Sequence, residues 1–531
     1  MSQLEVLAET VKLARFLGVQ VETLDYLRPL DAAQLRQLRE RLSDAEFARS
    51  RPMFQRVAQA SRLLPNALVA LIGEKVFGAM LCARIAGLMP VDRALDLAMK
   101  MPDAFLADVA VELDPRSARE VIAAMPTRRV VPIALILVGR GDFITMGRFV
   151  GYLPEPVIAA AIKAVTSEEA LLRAAFFIES KEKLNALIGL LPQARLRASI
   201  LLAADDRSGL WTEALALMGH ANRDWKRRIG DMAAAEDPAV LSSMLQAAQR
   251  LKVWDSVLPI VGCMSAANQR KLAALPDLAD TAVLNSIIQA AQDNDLWSDL
   301  LPLVRDMAEP ARRAAAQMVE QLPSAVLLKL LATAGEHDLW ADLVGMIRLM
   351  DTAARRRLLQ LIGAQDQAVL HQLLLAMDRA GLWGEILLLI GDMDAHARKL
   401  MAQQVPRLAQ DMRLRLIETV DRLDLWPDLL ALSADMEETE LHSVAELIAQ
   451  QPQLLLQRLL RSIGSHSLWP QLLPIAARMR SESLQQLGLA LASVAECRAE
   501  VEAQSRRLGL QQRLAALFID ATMPHDACTS R

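Results

Sequence analysis

Seven tryptophans stand 43 residues apart in this chain of 531 residues. The series consists of Trp211, Trp254, Trp297, Trp340, Trp383, Trp426 and Trp469. Six of them follow a leucine, and Trp254 follows a valine. A constant interval of this length is typical of stacked structural repeats, each of which buries its apolar face against its neighbours. The interval therefore predicts a repeat protein rather than one closed hydrophobic core.

Each repeat is predicted to contain three short helices. In the repeat that starts at Trp340, apolar residues recur at helical spacing in segments 341–350, 352–363 and 368–379. Single helices of about ten residues are marginal in water, so their apolar stripes are expected to form one continuous core along the stack. The tryptophan is the largest apolar side chain available, and we expect it in the seam between repeats rather than in an exposed aromatic ladder.

Composition narrows the protein class further. Apolar residues make up 53% of the chain and aromatic residues only 4%, which favours helices over strands. The net charge of −4 argues against a protein that coats nucleic acid. The four cysteines lack CxxC spacing, and the most apolar stretch, 66–89, is interrupted by charges. We therefore expect a cytoplasmic protein without a membrane span, and its Ala, Leu and Arg bias is typical of bacterial genomes rich in G and C.

The register of the repeats predicts four regions. Residues 1–62 are charged and are expected to form an N-terminal helical cap. Residues 63–210 read as degenerate helical repeats, in which Met-Pro and Leu-Pro pairs mark helix boundaries. Residues 211–510 hold the seven 43-residue repeats, and residues 511–531 are expected to form a C-terminal cap and a loose tail.

Three helices in 43 residues resemble armadillo-type or HEAT-type repeats, and this resemblance covers 211–510. It implies an all-α fold, a right-handed α-solenoid with a less regular helical N-terminal part. The stretch from Leu113 to Pro126 is similar to the cytosolic superhelical domain of MgtE-type magnesium transporters, over about 90–200, and the middle domain of flagellar motor switch proteins has comparable short helices. That transporter family also has a nucleotide-like regulatory domain and membrane helices. The sequence shows neither, so magnesium transport is not implied.

No motif for catalysis or cofactor binding stands out. The seven histidines lack metal-binding spacing, and no phosphate-binding loop or nucleophile elbow is present. We therefore predict no catalytic residue, no cofactor and no metal. Acidic residues recur two positions after the tryptophan, where they are expected to stabilise the start of the first helix. They are Glu213, Asp299, Asp342, Glu385 and Asp428.

Basic residues form the most regular polar series. They stand 15 to 17 positions after the tryptophan, with Lys271 beside Arg270. The predicted partner-binding residues are Lys226, Arg227, Arg270, Arg312, Arg313, Arg355, Arg356, Arg398 and Lys399. Stacking would align these side chains into a strip that recruits an acidic or phosphate-bearing partner. The other interpretation is an inter-repeat ladder, in which each cation pairs with an acid such as Asp306, Asp351, Asp392 or Asp394.

The leading functional hypothesis is a non-enzymatic scaffold or adaptor that binds another protein, an acidic or extended segment, on the concave face of the repeats. A second hypothesis is a nucleic-acid-binding or base-repair protein on a HEAT-like frame, against which the acidic net charge argues. A third is an enzyme with its site in residues 65–210, where the repeats are irregular.

Overall fold

The computed structural model describes residues 3–518 except 366, 434 and 435. This part of the chain contains 34 α-helices and no strand, so the expected all-α fold is confirmed. The chain divides into two compact units, Met1–Asp277 and Leu278–Arg531, here called unit 1 and unit 2. The division falls inside the second 43-residue repeat and coincides with none of the predicted region boundaries, which remain predictions. The predicted loose tail from 522 onward lies outside the described residues.

Unit 1 begins with a pair of packed helices, followed by shorter ones. A π-helical turn, Gly73–Phe77, joins α3 to α4. Its helices are α1 Gln3–Leu17, α2 Ala32–Ala60, α3 Asn66–Ile72, α4 Gly78–Ala86, α5 Val91–Lys100, α6 Asp103–Glu112, α7 Arg119–Ala123, α8 Thr127–Gly139, α9 Phe143–Val150, α10 Glu155–Ala164, α11 Glu168–Phe176, α12 Leu184–Gly189, α13 Gln193–Ala204, α14 Trp211–His220, α15 Arg223–Ala234, α16 Pro238–Leu251, α17 Trp254–Cys263 and α18 Ala266–Ala273.

Unit 2 continues the same alternation of short helices to the end of the described residues. Its helices are α19 Thr281–Asn294, α20 Trp297–Asp306, α21 Glu309–Glu320, α22 Ser324–Glu336, α23 Trp340–Ile347, α24 Thr352–Gly363, α25 Gln367–Ala380, α26 Trp383–Ile390, α27 Ala395–Ala402, α28 Gln410–Leu423, α29 Trp426–Ser433, α30 Glu438–Ala449, α31 Gln453–Ser465, α32 Trp469–Ala476, α33 Ser481–Ala492 and α34 Ala495–Arg507.

The 21 helices from α14 to α34 form seven groups of three, as the 43-residue interval predicts. Every first helix begins at a tryptophan of the series. In the repeat that starts at Trp340, the predicted second helix, 352–363, agrees with the structure at both ends, and the predicted first and third helices agree within a few residues. The three-helix repeat is therefore confirmed.

A recurrent turn precedes each tryptophan. Two positions before it, the backbone takes the left-handed conformation, at Gly209, Lys252, Asp295, Asp338, Gly381, Asp424 and Ser467. Before six of the seven tryptophans, the next residue donates its N–H to the carbonyl five residues back, as Leu339 does to Ala334 and Leu382 to Met377, both at 2.8 Å. Before Trp211, the Leu210 N–H donates instead to Ser208 Oγ at 3.1 Å. This Schellman turn brings an apolar residue back onto the helix that it ends, which suits the leucine or valine before these tryptophans.

The tryptophans are interior residues. From Trp254 to Trp469, the six side chains are at most 3% exposed, whereas Trp211 is half-buried. Neighbouring first helices pack on one another within each unit, α14 on α17 in unit 1 and α20, α23, α26, α29 and α32 in succession in unit 2. The expectation that the indoles lie inside the stack, and not in an exposed ladder, is confirmed for the six buried residues.

Proline marks helix starts in the less regular part, as predicted. Pro90, Pro102, Pro126, Pro154 and Pro192 are the N-cap residues of α5, α6, α8, α10 and α13. The fixed φ of proline and its missing N–H suit a position at which no intrahelical bond is made.

Candidate functional site

The nine predicted basic residues all lie on second helices of their repeats. Unit 1 carries Lys226 and Arg227 on α15 and Arg270 on α18. Unit 2 carries the other six, here called the cationic row: Arg312 and Arg313 on α21, Arg355 and Arg356 on α24, and Arg398 and Lys399 on α27. The predicted series is therefore divided between two units.

Part of the cationic row pairs with carboxylates of the following repeat. Arg355 Nε lies 2.5 Å from one oxygen of Asp392, and Arg356 Nε lies 3.6 Å from the other. Lys399 Nζ lies 3.2 Å from Glu437 Oε1. The inter-repeat ladder exists at these positions, but two arginines share a single carboxylate, so the pair on α24 keeps a net positive charge.

The other acids expected in this ladder have different partners. Asp351 accepts a hydrogen bond from the Ala354 N–H at 2.7 Å, and Asp394 accepts one from the Ala397 N–H at 2.8 Å. Both are N-caps, a position where a short carboxylate satisfies a helix-start N–H that has no intrahelical acceptor. Asp306 pairs instead with its neighbour Arg305. The predicted pairing of these three acids with the cationic row is therefore wrong.

Several cations of the row reach the surface. The Arg313 side chain is 59% exposed and pairs with Glu309 of its own helix at 2.7 Å. Arg356 is 61% and Lys399 47% exposed. Among the described residues, Arg312 Nε is buried and has no hydrogen-bond partner. The row therefore presents accessible positive charge on consecutive second helices.

The two predicted arginines of unit 1 differ, because the polar contacts that the structure gives them stay within their own helices. Arg227 is 64% exposed and lies 3.9 Å from Asp231 on the next turn of α15. Arg270 Nε donates to the carbonyl of Ala266, one turn earlier in α18, at 3.3 Å. The structure thus shows no inter-repeat pairing for these two arginines among the described residues.

Another set of inter-repeat ion pairs, between first helices, was not predicted from the sequence. Arg305 Nη1 lies 3.0 Å from Asp342 Oδ1, and Arg348 pairs with Glu385 in the same way one repeat later. The acids do lie in the first turns of their helices, as predicted, but they also link neighbouring repeats. A sequence pattern marks these pairs. An arginine stands eight positions after one tryptophan, and an acid stands two positions after the next.

A second pattern that was not predicted stabilises the ends of second helices. Lys271 Nζ donates to the carbonyl of Glu236 at 3.1 Å, at the end of the preceding second helix. Two repeats later, the equivalent Arg357 donates to the carbonyls of Glu320 and Leu322 at 2.7 and 2.9 Å. The last carbonyls of a helix lack intrahelical donors and carry partial negative charge, so a cation stabilises them. These two basic residues are structural.

A buried ion cluster joins the N-terminal helices to the middle of unit 1. Glu9, only 3% exposed, lies 2.8 Å from Lys12, 3.0 Å from Arg36 and 3.5 Å from Arg39, and Arg39 lies 2.7 Å from Glu179. Burial acts to raise the pKa of Glu9, but the surrounding cations outweigh it and hold the pKa below its ordinary value. The cluster fastens α1 and α2 to the segment that follows α11.

Two further bases border this cluster. Burial lowers the pKa of Lys181 to about 8, and its ammonium group donates to the carbonyl of Phe176 at 3.3 Å. His220 Nε2 lies 2.5 Å from Glu5 Oε1, so α14 also contacts α1. Burial lowers the pKa of His220 as well. Because these groups are engaged with protein partners, they join elements of unit 1 rather than line an open cleft.

An apolar cavity of about 480 Å³ runs through unit 1. It is lined by side chains from α2 to α18, and nearly all of these are aliphatic or aromatic. Trp211, the half-buried member of the series, is one of them. This cavity was not predicted, because no local sequence pattern marks the space between helices.

The described residues contain no group of three or more His, Cys, Asp or Glu side chains arranged to hold a metal ion. Within the same part of the chain, no single helix is long and apolar enough to cross a membrane. The segments Lys181–Gly189 and Gln193–Ala204 together meet the length and composition of a span, but the chain bends by 118° between them.

Comparisons with known proteins do not identify a family for this chain. No protein-family model matches the chain, and no curated protein does. A solved structure described as "Circular tandem repeat protein with novel repeat topology and enhanced subunit contact surfaces" shares 14% identity, with 95% of this chain and 98% of that chain covered. Its TM-score of 0.16 is too low for any feature of that protein to be carried over. By its own packing, the described part of this chain is an all-α helical-repeat protein.

Proposed function

We propose that this chain is a non-enzymatic protein-binding scaffold, and that the cationic row of unit 2 holds an acidic, extended segment of a partner protein. An armadillo/HEAT-type right-handed solenoid and a cytoplasmic location belong to the same proposal. Lys226, Arg227 and Arg270 in unit 1 are proposed as secondary partner contacts. Tandem repeats suit such a role, because they offer equivalent side chains at regular intervals.

The observation that carries this proposal is the excess of exposed positive charge on α24 and its neighbours. Arg355 and Arg356 share Asp392, and the exposed Lys399 is paired only with Glu437, itself 61% exposed, among the contacts above. The contacts of the two exposed cations, Arg356 with Asp392 and Lys399 with Glu437, contribute about 0–1 kcal/mol each. A partner carboxylate therefore displaces them at little cost and gains charge-assisted hydrogen bonds to arginine.

Helix spacing indicates the form of the partner. The α24 and α27 helices pack on each other, and Arg357 links α24 to the end of α21. Packed helices lie about 8–10 Å apart, whereas an extended chain in the polyproline II conformation advances about 3.1 Å per residue and presents every third side chain on one face. An extended segment with an acidic residue at every third position therefore matches the row.

The test is binding of a synthetic peptide with glutamate at every third position, measured by fluorescence anisotropy with the full-length protein. Reversing the three most exposed cations (Arg313→Glu, Arg356→Glu, Lys399→Glu) is expected to weaken binding about tenfold or more, because each change replaces attraction by repulsion. The wild-type affinity is expected to fall as salt rises.

The matched control reverses Lys329, Arg422 and Arg461, three exposed cations on the third helices α22, α28 and α31. It changes the net charge by the same amount and is expected to leave binding within about twofold. Equal weakening in both triple variants, or no weakening in either, would remove the proposal. Tighter binding of a single-stranded oligonucleotide than of the peptide would favour the nucleic-acid alternative instead.

A further inference from the structure

We infer that unit 1 binds a long aliphatic chain, such as that of a fatty acid, in the cavity between its helices. This site is separate from the cationic row and does not depend on the function proposed for unit 2. Its volume of about 480 Å³ lies within the range of about 300–1,000 Å³ that is typical of small-molecule sites.

The shape of the cavity favours a long chain over a compact ligand. Its lining extends from Val57 on α2 to Leu272 on α18, and it passes Leu137 of α8 and Leu196 of α13 between them. It therefore follows the succession of helices in unit 1. A flexible hydrocarbon chain fills such an elongated space, whereas a compact ring system would occupy only a part of it.

The hydroxyl groups of the lining are already used by the protein, whereas Trp211 Nε1 has no hydrogen-bond partner among the described residues. Ser61 Oγ donates to the Ala58 carbonyl at 2.7 Å, and Ser199 Oγ donates to the Arg195 carbonyl at 2.9 Å. Thr145 Oγ1 donates to Asp142 Oδ2 at 2.9 Å. Since these hydroxyl groups point their hydrogens at protein acceptors, the cavity offers an occupant apolar contact, and it suits hydrocarbon rather than a polar metabolite.

The cavity reaches the surface beside α3 and α4. Phe77 both lines it and is 40% exposed. Other exposed apolar side chains stand close to it in the chain, namely Leu63, Leu64, Leu68, Leu71, Val76 and Met80. We place the entrance for a hydrocarbon chain at Phe77, beside these exposed apolar side chains.

The direct test is titration of the full-length protein with cis-parinaric acid, a fatty acid whose fluorescence increases in apolar surroundings. We expect a saturable increase that palmitate and hexadecan-1-ol both reverse and butyrate does not. Displacement by palmitate alone would show that a carboxylate is also recognised, which still requires the chain site. The inference is overturned if no saturable increase occurs, or if butyrate competes as well as palmitate.

Substitutions that fill the cavity test whether the ligand binds there. Ala134→Phe and Ala175→Phe place rings in the lining and together are expected to weaken binding of cis-parinaric acid about tenfold or more. Ala332→Phe introduces the same ring at an exposed position of α22 in unit 2 and is expected to change affinity less than twofold. Unchanged affinity in the filled variant, with an unchanged circular-dichroism spectrum, contradicts the inference.

A measurement on the wild-type chain tests the site without relying on correct folding of the filled variant. Cys82 lines the cavity, and its Sγ lies 3.5 Å from the Gly73 carbonyl. Saturating palmitate is expected to slow alkylation of Cys82 about fivefold or more, as followed by peptide mapping, because the chain blocks the way to the thiol. Cys497, buried in unit 2, serves as the internal reference. An unchanged Cys82 rate under saturating palmitate would overturn the inference.

Discussion

The residue two positions before each tryptophan sets the turn on which the next repeat depends. Glycine occupies this left-handed position at Gly209 and Gly381, where φ is 63° and 67°. Lysine and serine occupy it at Lys252 and Ser467, with φ of 55° and 54°. A side chain in this conformation costs about 1–2 kcal/mol. The residue type at this position varies between repeats, whereas the left-handed backbone conformation does not. The need for this conformation is therefore not visible in the 43-residue sequence pattern.

We expect Lys252→Gly to stabilise the protein by about 0.5–1 kcal/mol, since relief of the left-handed strain exceeds the extra unfolded-state entropy of glycine. Gly381→Ala is expected to destabilise it by about 1 kcal/mol through backbone strain alone, because a Cβ there would meet no atom within 4 Å. Denaturant unfolding of the two variants and the wild type measures both effects. Changes of the same sign in the two variants would contradict the turn as the cause.

At the scale of elements, the N-terminal helices are held to unit 1 by charge. Glu9 accepts contacts from three cations while almost fully buried, so its removal leaves Lys12, whose side chain is 2% exposed, without its nearest carboxylate. A buried charge that loses its partner is costly, about 3–5 kcal/mol. This carboxylate therefore contributes to the attachment of α1 and α2, together with apolar contacts such as those of Phe54 and Ala58 with Ile85.

Glu9→Gln is expected to cost about 3–5 kcal/mol and to raise hydrogen exchange in α1 and α2 before the rest of unit 1. Glu46→Gln, on α2, is the control, since Glu46 is 58% exposed in its pair with Arg84 and contributes about 0–1 kcal/mol. Mass spectrometry of the exchanged peptides measures both variants. Equal exchange in the two variants would show that the cluster does not hold these helices.

The same carboxylate predicts a pH dependence. The folded state lowers the pKa of Glu9, so its contribution is fully present above the unfolded value of about 4.3 and is lost as the pH falls through the lower folded value. The wild type should therefore lose stability in acid more steeply than Glu9→Gln. Parallel stability curves of the two proteins below pH 5 would contradict this assignment.

Local sequence patterns predict the repeats. They do not predict contacts between residues that are far apart in the chain. The helix Thr352–Gly363 and the start of each first helix at a tryptophan follow from apolar spacing and from the 43-residue interval. The contact between Glu9 and Glu179 through Arg39 joins residues far apart in the chain, outside any repeat. The cavity of unit 1 depends on how helices from 57 to 272 fit together, which no single segment encodes.

At the scale of the whole molecule, each unit is a succession of helices that mainly contact their sequence neighbours. In unit 2 the first helices α23, α26 and α29 pack in order, and side chains such as Arg348 and Arg355 link each repeat to the next. Stability in such an array is the sum of repeat terms and nearest-neighbour terms. Damage to one repeat should therefore spread to its neighbours and weaken with distance along the unit.

Trp383→Ala tests this expectation in the middle of unit 2. The indole is 3% exposed and donates its N–H to Asp378 at 2.9 Å, so its loss is expected to cost about 3–5 kcal/mol. Hydrogen exchange should increase most in α25 to α28 and least in α33, because only neighbouring repeats share the seam. Trp225→Ala is the control, since this half-buried tryptophan lies outside the 43-residue series and stacks with Arg228 at 5.1 Å, and its loss should cost about 1 kcal/mol. A uniform increase across all of unit 2 would show one cooperative core in place of coupled repeats.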